Sequence, residues 1–498
     1  MHSAALTYRP PLTFFLIIFF ILLRFLAGGR AADAGEVSFP VVLLGLMILA
    51  GLIMVNRPVA LVLIIFDMAD MAGWINPAAW GVQGVFKFKD AEFLLLMAMA
   101  TAGLITNTRL RKRQQKTALS RAMAIFVTVI GIYVIYTFTV QEISTTLRVT
   151  RGLIYYSSFF AIPYYIRCEK DVAIVFKACL LLMVASSVTH ILQTVFLPIR
   201  TLLPYNTSQE VTGHIVRLWG FTQPFNFIGV FVLFGILLQN KHATWLLRIA
   251  FAICLSALIL TFGRVFIATI VVGLLISMLL LSSRGNRIGN SLRFLCIFLI
   301  AGLAILGLLI AVGKTDVVVE ALSDRYTDAK FQFQTAQGSF FGHIEYVFYV
   351  SEFIEKYSGN IIFGVGFRSF TGYFGGVEVG GWDKESLIGI FLTDNGWAGL
   401  IAAMGLIGVA LIILIIVQSL RRGLQVVTDS KNILNRSLGS SLISLFSLVP
   451  INLFFGAHIF ETPCGLITAL ALGLSNMMNL TPFDRQGEKP HLPRIVYP

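Results

Sequence analysis

Apolar residues fill the chain in runs of about 18 or more, separated by short polar connectors. Such runs lie near residues 11–28, 38–55, 58–74, 88–106, 122–139 and 150–166, then near 172–196, 222–239, 245–262, 265–282 and 294–313. After a long polar stretch, three more follow near 394–419, 437–455 and 463–480. Each matches the length that crosses roughly 30 Å of hydrocarbon at about 1.5 Å per residue. The run at 58–74 contains Asp67 and Asp70. The pattern predicts an all-α fold, a polytopic helical bundle of about 14 transmembrane helices in one body. A β-barrel is excluded, because its strands alternate apolar and polar positions. Spans 1–11 occupy residues 1–313, a loop 314–393 follows, spans 12–14 occupy 394–480, and 481–498 form a polar tail.

Composition agrees. Of 498 residues, 57% are hydrophobic and 13% charged, and mean hydropathy is +0.83. A soluble domain carries roughly 25% charged residues.

Charge orients the bundle. Arg109, Arg111, Lys112, Arg113, Lys116 and Arg121 crowd one connector; Arg284, Arg287 and Arg293 fill another, and Arg421, Arg422, Lys431 and Arg436 a third. With this many crossings, all three fall on the side of both termini, which the positive-inside rule makes the cytoplasm. The loop 314–393 is then extracytoplasmic. The net charge of +13 reports loops facing anionic lipid, and no nucleic-acid partner is expected. The first run is followed by AGGRAADAG, which has signal-peptide character, but its length and a flank carrying only Arg9 favour an uncleaved anchor. Cleavage would leave the remaining topology unchanged.

The five cysteines (Cys168, Cys179, Cys254, Cys296, Cys464) lie in or beside apolar runs at spacings that suit no metal site, so they are read as small buried residues. Seven histidines form no HExxH-type cluster; neither a metal nor a cofactor is expected. GLLIAVGKT at 307–315 resembles a phosphate-binding P-loop, yet five residues separate its glycines where the motif has four, and it ends an apolar run. It is read as a span reaching the interface at Lys314.

The informative charges are arginines on the outer side. Arg148 and Arg151 stand at the start of span six, Arg217 in the loop LLPYNTSQEVTGHIVRLWGF, Arg264 in a tight turn, and Arg325 and Arg368 in the long loop. Taken singly, Arg148, Arg325 and Arg368 read equally well as cations snorkelling to the headgroups. Arg264 differs: a turn of almost no length holds it at the membrane boundary, where an unpaired charge is costly, and an anionic partner is implied. Several such arginines around one face suit a pyrophosphate, whose oxygens guanidinium groups bind in pairs.

Within the long loop, Ile344, Val347, Phe348, Val350 and Ile354 recur at near-helical spacing, an amphipathic helix opened by His343. A lone histidine is more often structural than catalytic. Asp394, Asn395 and Gly396 open span twelve, where Asp and Asn both serve as N-caps; a carboxylate at the bundle mouth can also face a cavity.

These residues carry a resemblance. The segments IIFGVGFRSF (361–370), DNGWAGLIAAMGLIG (394–408) and TFGRVFIATIVVGLL (261–275) resemble, in the same order, motifs of the bacterial O-antigen polymerase and O-antigen ligase family, PLFGVGxGxF, HNxxLxxLxExGLIG and SRGxxLAxxxGLL. The likeness covers roughly residues 255–415. The family's histidine position is Asp394 here and its glutamate position Ala403; an arginine before the amphipathic helix corresponds to His343, and the serine before the key arginine to Gly263. Loss of the histidine favours the polymerase side. The resemblance implies a GT-C-like, metal-independent glycosyltransferase. Its donor is a polyprenyl-pyrophosphate-linked oligosaccharide, its surroundings membrane lipid, and a chain-length regulator a possible partner protein. Asp394 is then the expected base and His343 the second choice. Arg264, Arg151, Arg217, Arg368, Arg325 and Arg148 are the expected substrate contacts. A ligase moving finished glycan to another acceptor and a lipid-linked oligosaccharide flippase are the alternatives; a flippase usually shows two related halves, and none stand out.

Overall fold

A computed structural model describes residues 10–34, 39–68, 81–82, 86–106, 117–141, 143–195, 208–212, 215–219, 223–240, 243–260, 264–282, 350–351, 354–355, 357–367, 395–453 and 462–478, with positions 289 and 307. Helices α1 (Pro10–Ala34), α2 (Phe39–Val55), α3 (Arg57–Met68), α4 (Phe88–Thr106), α5 (Ala118–Phe138) and α6 (Ile143–Ile154) form the first half. Then come α7 (Glu169–Val195), α8 (Gln223–Gln239), α9 (Trp245–Ile259), α10 (Arg264–Leu281), α11 (Gly396–Asp429), α12 (Ile433–Asn452) and α13 (Thr462–Met477). Two short antiparallel hairpins, β1–β2 (Gly81–Val82, Phe86–Lys87) and β3–β4 (Ser208–Thr212, Ile215–Trp219), lie outside the apolar runs. Ala118–Phe138, Lys170–Leu192 and Gly396–Asp429 are long and apolar enough to cross a membrane, with mean hydropathies of 2.0, 2.2 and 3.2. The chain is a predominantly helical membrane protein.

Most expected spans coincide with one helix to within a few residues, because a long apolar run in hydrocarbon has no other way to satisfy its backbone. Two differ. The span expected over 150–166 begins earlier, as α6, and breaks into a 3₁₀ segment (Tyr155–Phe160) and a helical turn (Ile162–Tyr165). The Ser157 hydroxyl takes the Ile154 carbonyl at 2.7 Å, and Pro163 has no N–H to continue the ladder. The span expected over 394–419 runs on to Asp429 and is interrupted at Gly405, where φ is 63° and ψ −156°. The span expected over 294–313 and most of the loop 314–393 lie outside the described residues.

Helix α12 is the packing hub. Its small and hydroxylated face (Ser437, Gly439, Ser440, Ser441, Ser444) is buried against neighbouring helices, and such residues let backbones approach in a bilayer. Ser444 meets Ser277 of α10 at 2.9 Å and donates to the Gly273 carbonyl at 2.8 Å, while Gln239 of α8 reaches Ser437 at 3.0 Å. A Cβ at Gly423 of α11 would stand 2.9 Å from the Gly439 carbonyl oxygen.

Side-chain contacts sort the helix ends into two sets. One end holds the start of α4, the end of α5, α6, and the start of α11, joined by hydrogen bonds described below. At the other, Thr117 opens α5 and bonds Asn476 at the end of α13, and Arg422 grips the Ser475, Asn476 and Met478 carbonyls. There too the Arg57 guanidinium lies 4.4 Å from the centre of the Tyr164 ring.

Replacing Gly423 by valine forces α11 and α12 apart, and overpacking of this kind costs about 1–3 kcal/mol. Thermal unfolding of purified protein should shift down by several degrees; an unchanged midpoint would mean that the close approach is unimportant.

Candidate functional site

The site is built on a junction between two segments far apart in sequence. The loop helix that carries Val350 and Ile354 buries these two residues against Val365, Ala398 and Ala402, and leaves Ser351 and Glu355 exposed, as the expected amphipathic face requires. It ends in a Schellman motif: Ser358 has φ 53°, its N–H bonds Glu355 O at 3.0 Å, and Gly359 N–H bonds Ile354 O at 2.8 Å. Asn360 then shapes a turn, its Oδ1 accepting from Ile362 N at 2.8 Å and its carbonyl from Gly364 N at 2.6 Å.

The turn segment that follows, Ile361–Phe367, fills the break in α11. An interrupted helix leaves carbonyls on one side and N–H groups on the other without partners, and hydrocarbon supplies none. Ile361 O and Ile362 O accept from Leu406 N and Ile407 N at 3.0 and 3.2 Å. Val365 N and Gly366 N donate to Ala402 O and Ala403 O at 2.8 and 2.9 Å. Tyr133 of α5 completes the set, its hydroxyl 2.9 Å from Phe363 O and 3.2 Å from Met404 O. Backbones this close leave no room for a side chain: a Cβ on Gly364 would lie 2.6 Å from Ala402 O, and one on Gly405 2.3 Å from Ile362 O. Both glycines also have positive φ, 68° and 63°, so each is required twice over.

The segment is then tied to the end of α5. Phe367 N donates to Thr137 Oγ1 at 2.9 Å, and Gln141 Nε2 donates to Phe367 O at 2.8 Å and to Thr146 Oγ1 of α6 at 3.0 Å. The start of α11 is held as firmly. Asn395 is fully buried and caps the helix, its Oδ1 accepting from Ala398 N at 3.0 Å. The Trp397 indole donates to Pro450 O in the last turn of α12 at 2.9 Å. Two residues on, Asn452 accepts from Thr269 of α10 at 2.8 Å. Thr269 is five positions, about 7.5 Å of helix, beyond Arg264. The segments that carry the resemblance are therefore gathered at one end of the bundle.

Each expected site residue has a place in this frame. Asp394, His343, Arg325 and Arg368 lie outside the described residues, although Arg368 directly follows Phe367 and Asp394 directly precedes Asn395. Arg264 is the first residue of α10, Arg217 pairs with Glu210 in the β3–β4 register, and Arg148 belongs to α6; their side chains are outside the described set. Arg151 is described, and it is not solvated. Its Nε and Nη2 meet the two carboxylate oxygens of Asp90 at 2.8 and 2.9 Å, and the Tyr155 hydroxyl donates to Asp90 Oδ1 at 2.8 Å. The cap of α11 is Asn395, so the N-cap role weighed for Asp394 belongs to its neighbour. Sequence reasoning missed Asp90, Tyr133, Thr137 and Gln141. A signal was present for two of them: Tyr133 and Thr137 stand four apart on one face of the apolar helix α5, and Gln141 follows three residues beyond its end.

Chemically, the junction offers rigidity and no reactive group of its own. Among the described residues no three His, Cys, Asp or Glu side chains gather as metal ligands. What it does is hold the positions flanking Arg368 and Asp394. Compared with protein-family models and with curated proteins, the chain matches none.

Gly405→Ala and Gly364→Ala should each destabilise the protein by more than about 2 kcal/mol, since a positive φ alone costs roughly 1–2 kcal/mol and the clash adds to it. Tyr133→Phe removes one hydroxyl and should cost about 1–2 kcal/mol. Denaturation of the purified variants checks this; a Gly405→Ala protein as stable as wild type would contradict the junction.

Proposed function

We propose that the chain is an extracytoplasmic polymerase of surface polysaccharide. It transfers a growing glycan from polyprenyl pyrophosphate to a sugar hydroxyl of a lipid-linked repeat unit. The observation that carries this reading is the junction: the FGVGF segment and the helix capped by Asn395 dock backbone to backbone towards the end of the bundle where Arg264 begins α10. The reading includes about fourteen crossings, both termini in the cytoplasm, a GT-C-like bundle in the bacterial inner membrane, and this end facing outward.

The chemistry follows from the compartment. Nucleotide sugars and ATP are absent outside the cytoplasm, so the donor must carry its own leaving group. The acceptor oxygen attacks the anomeric carbon, the bond from that carbon to the pyrophosphate oxygen breaks, and the lipid pyrophosphate departs with the electron pair. The acceptor proton goes to a base, for which Asp394 is the first choice and His343 the second. An aspartate near its reference pKa of about 3.9 is a weak base, so the role requires surroundings that favour its protonated form. Arg264, with Arg217, Arg368, Arg325 and Arg148, neutralises charge building on the departing pyrophosphate. A membrane partner that sets chain length is compatible with this scheme.

A reaction with purified protein and defined lipid-linked repeats tests it. Asp394→Asn should lower turnover by at least about 100-fold, the usual contribution of a positioned base. Arg264→Ala should weaken donor binding about 10-fold or more through loss of charge-assisted hydrogen bonds. Wild-type turnover in Asp394→Asn removes it as the base, and unchanged affinity in Arg264→Ala removes it from the site.

A further inference from the structure

We propose that Asp90, Arg151 and Tyr155 form a positioning clamp that holds α6 against α4 and, through α6, fixes the segment Ile361–Phe367. In this role Arg151 acts on the site through its helix and does not itself grip the donor. The activity readout rests on the polymerase reading; the structural readout does not.

Helix α6 has 12 residues, about 18 Å, too short to be anchored as a span. Its position depends on what grips its ends. At the first, Thr146 is buried and shares the Gln141 amide with the Phe367 carbonyl. Five residues on, about 7.5 Å along the axis, Arg151 is 8% exposed and joined to Asp90 by two parallel hydrogen bonds of 2.8 and 2.9 Å. Tyr155 opens the 3₁₀ segment, and its hydroxyl adds a second donor to the same carboxylate oxygen. The Phe93 ring of α4, centred 4.8 Å from that of Tyr155, fixes the tyrosine in turn. On the far side α6 meets α13 so closely that a Cβ on Gly465 would stand 2.2 Å from Gly152 O. The helix is caught between α4 and α13 at one end and tied to the segment Ile361–Phe367 at the other.

Charge supports a strut over a ligand. A fork-to-fork arginine–carboxylate pair is electrically neutral, and both partners are largely withdrawn from water, with side chains 10% and 17% exposed. Its attraction for a further anion is correspondingly small. Removing either partner strands the other charge at the edge of the membrane, which is far more disruptive than exchanging the two.

The test uses full-length protein in lipid nanodiscs. Amide hydrogen exchange is followed at Val365, Gly366 and Phe367, alongside KM and kcat for a defined lipid-linked donor. Asp90→Asn and Arg151→Gln should each speed exchange at these amides about tenfold, the scale set by one charge-assisted hydrogen bond. They should raise the donor KM more than they lower kcat. Tyr155→Phe, which keeps both charges, should do the same to a smaller degree, and Asp90→Glu should restore near-wild-type behaviour. The exchanged pair Asp90→Arg with Arg151→Asp should recover both exchange and KM. Wild-type exchange at 365–367 in Asp90→Asn, Arg151→Gln and Tyr155→Phe alike overturns the clamp. Recovery of exchange without KM in the exchanged pair overturns the strut role and returns Arg151 to the donor site. If wild-type protein elongates nothing, the polymerase reading fails, and the exchange data still decide the clamp.

Discussion

The break in α11 at Gly405 is the constraint on which the site depends. A 34-residue helix that loses its ladder at its tenth residue exposes backbone groups that a bilayer cannot satisfy. The remedy is supplied by a segment some forty residues upstream. Four backbone hydrogen bonds and the Tyr133 hydroxyl replace the missing ladder, and the geometry admits only glycine at positions 364 and 405. A break of this kind is stable only when filled. The segment and the helix therefore fold together, and the positions beside Arg368 and Asp394 are set by the same bonds that keep the span intact.

From that junction, order spreads outward through polar contacts at the helix ends. Thr137 and Gln141 pass the position of Phe367 to α6; Trp397 passes that of α11 to α12; Thr269 and Asn452 pass it on to α10. Each link is a hydrogen bond at the edge of an apolar bundle, where few competing partners exist. The helices themselves are packed by small residues and apolar surface, which determine distance but little else. Orientation of the functional end falls to this short list of polar groups.

Much of the fold was legible in the sequence because apolar runs in lipid have only one outcome. The limits of α2, α4 and α8 lie within a residue or so of those expected from hydropathy alone. The interruption at Gly405 was not legible, since glycine is common in membrane helices and the residues around it, AAMGLIG, remain apolar throughout. The break after α6 left a clearer trace in Pro163. The Asp90–Arg151 pair could not be read from either residue, for it joins helices 61 positions apart. The glycine-rich motifs were legible as patterns, and the physical reason for them, two backbones in contact, appears only once both segments are seen together.

The measurement that bears most directly on the central claim is the size of glycan carried on the lipid in cells lacking this protein. The account predicts single repeat units on the polyprenyl pyrophosphate, facing outward and unextended. Long chains still attached to the lipid would contradict it in favour of a ligase, and repeats left facing the cytoplasm would contradict it in favour of a transporter.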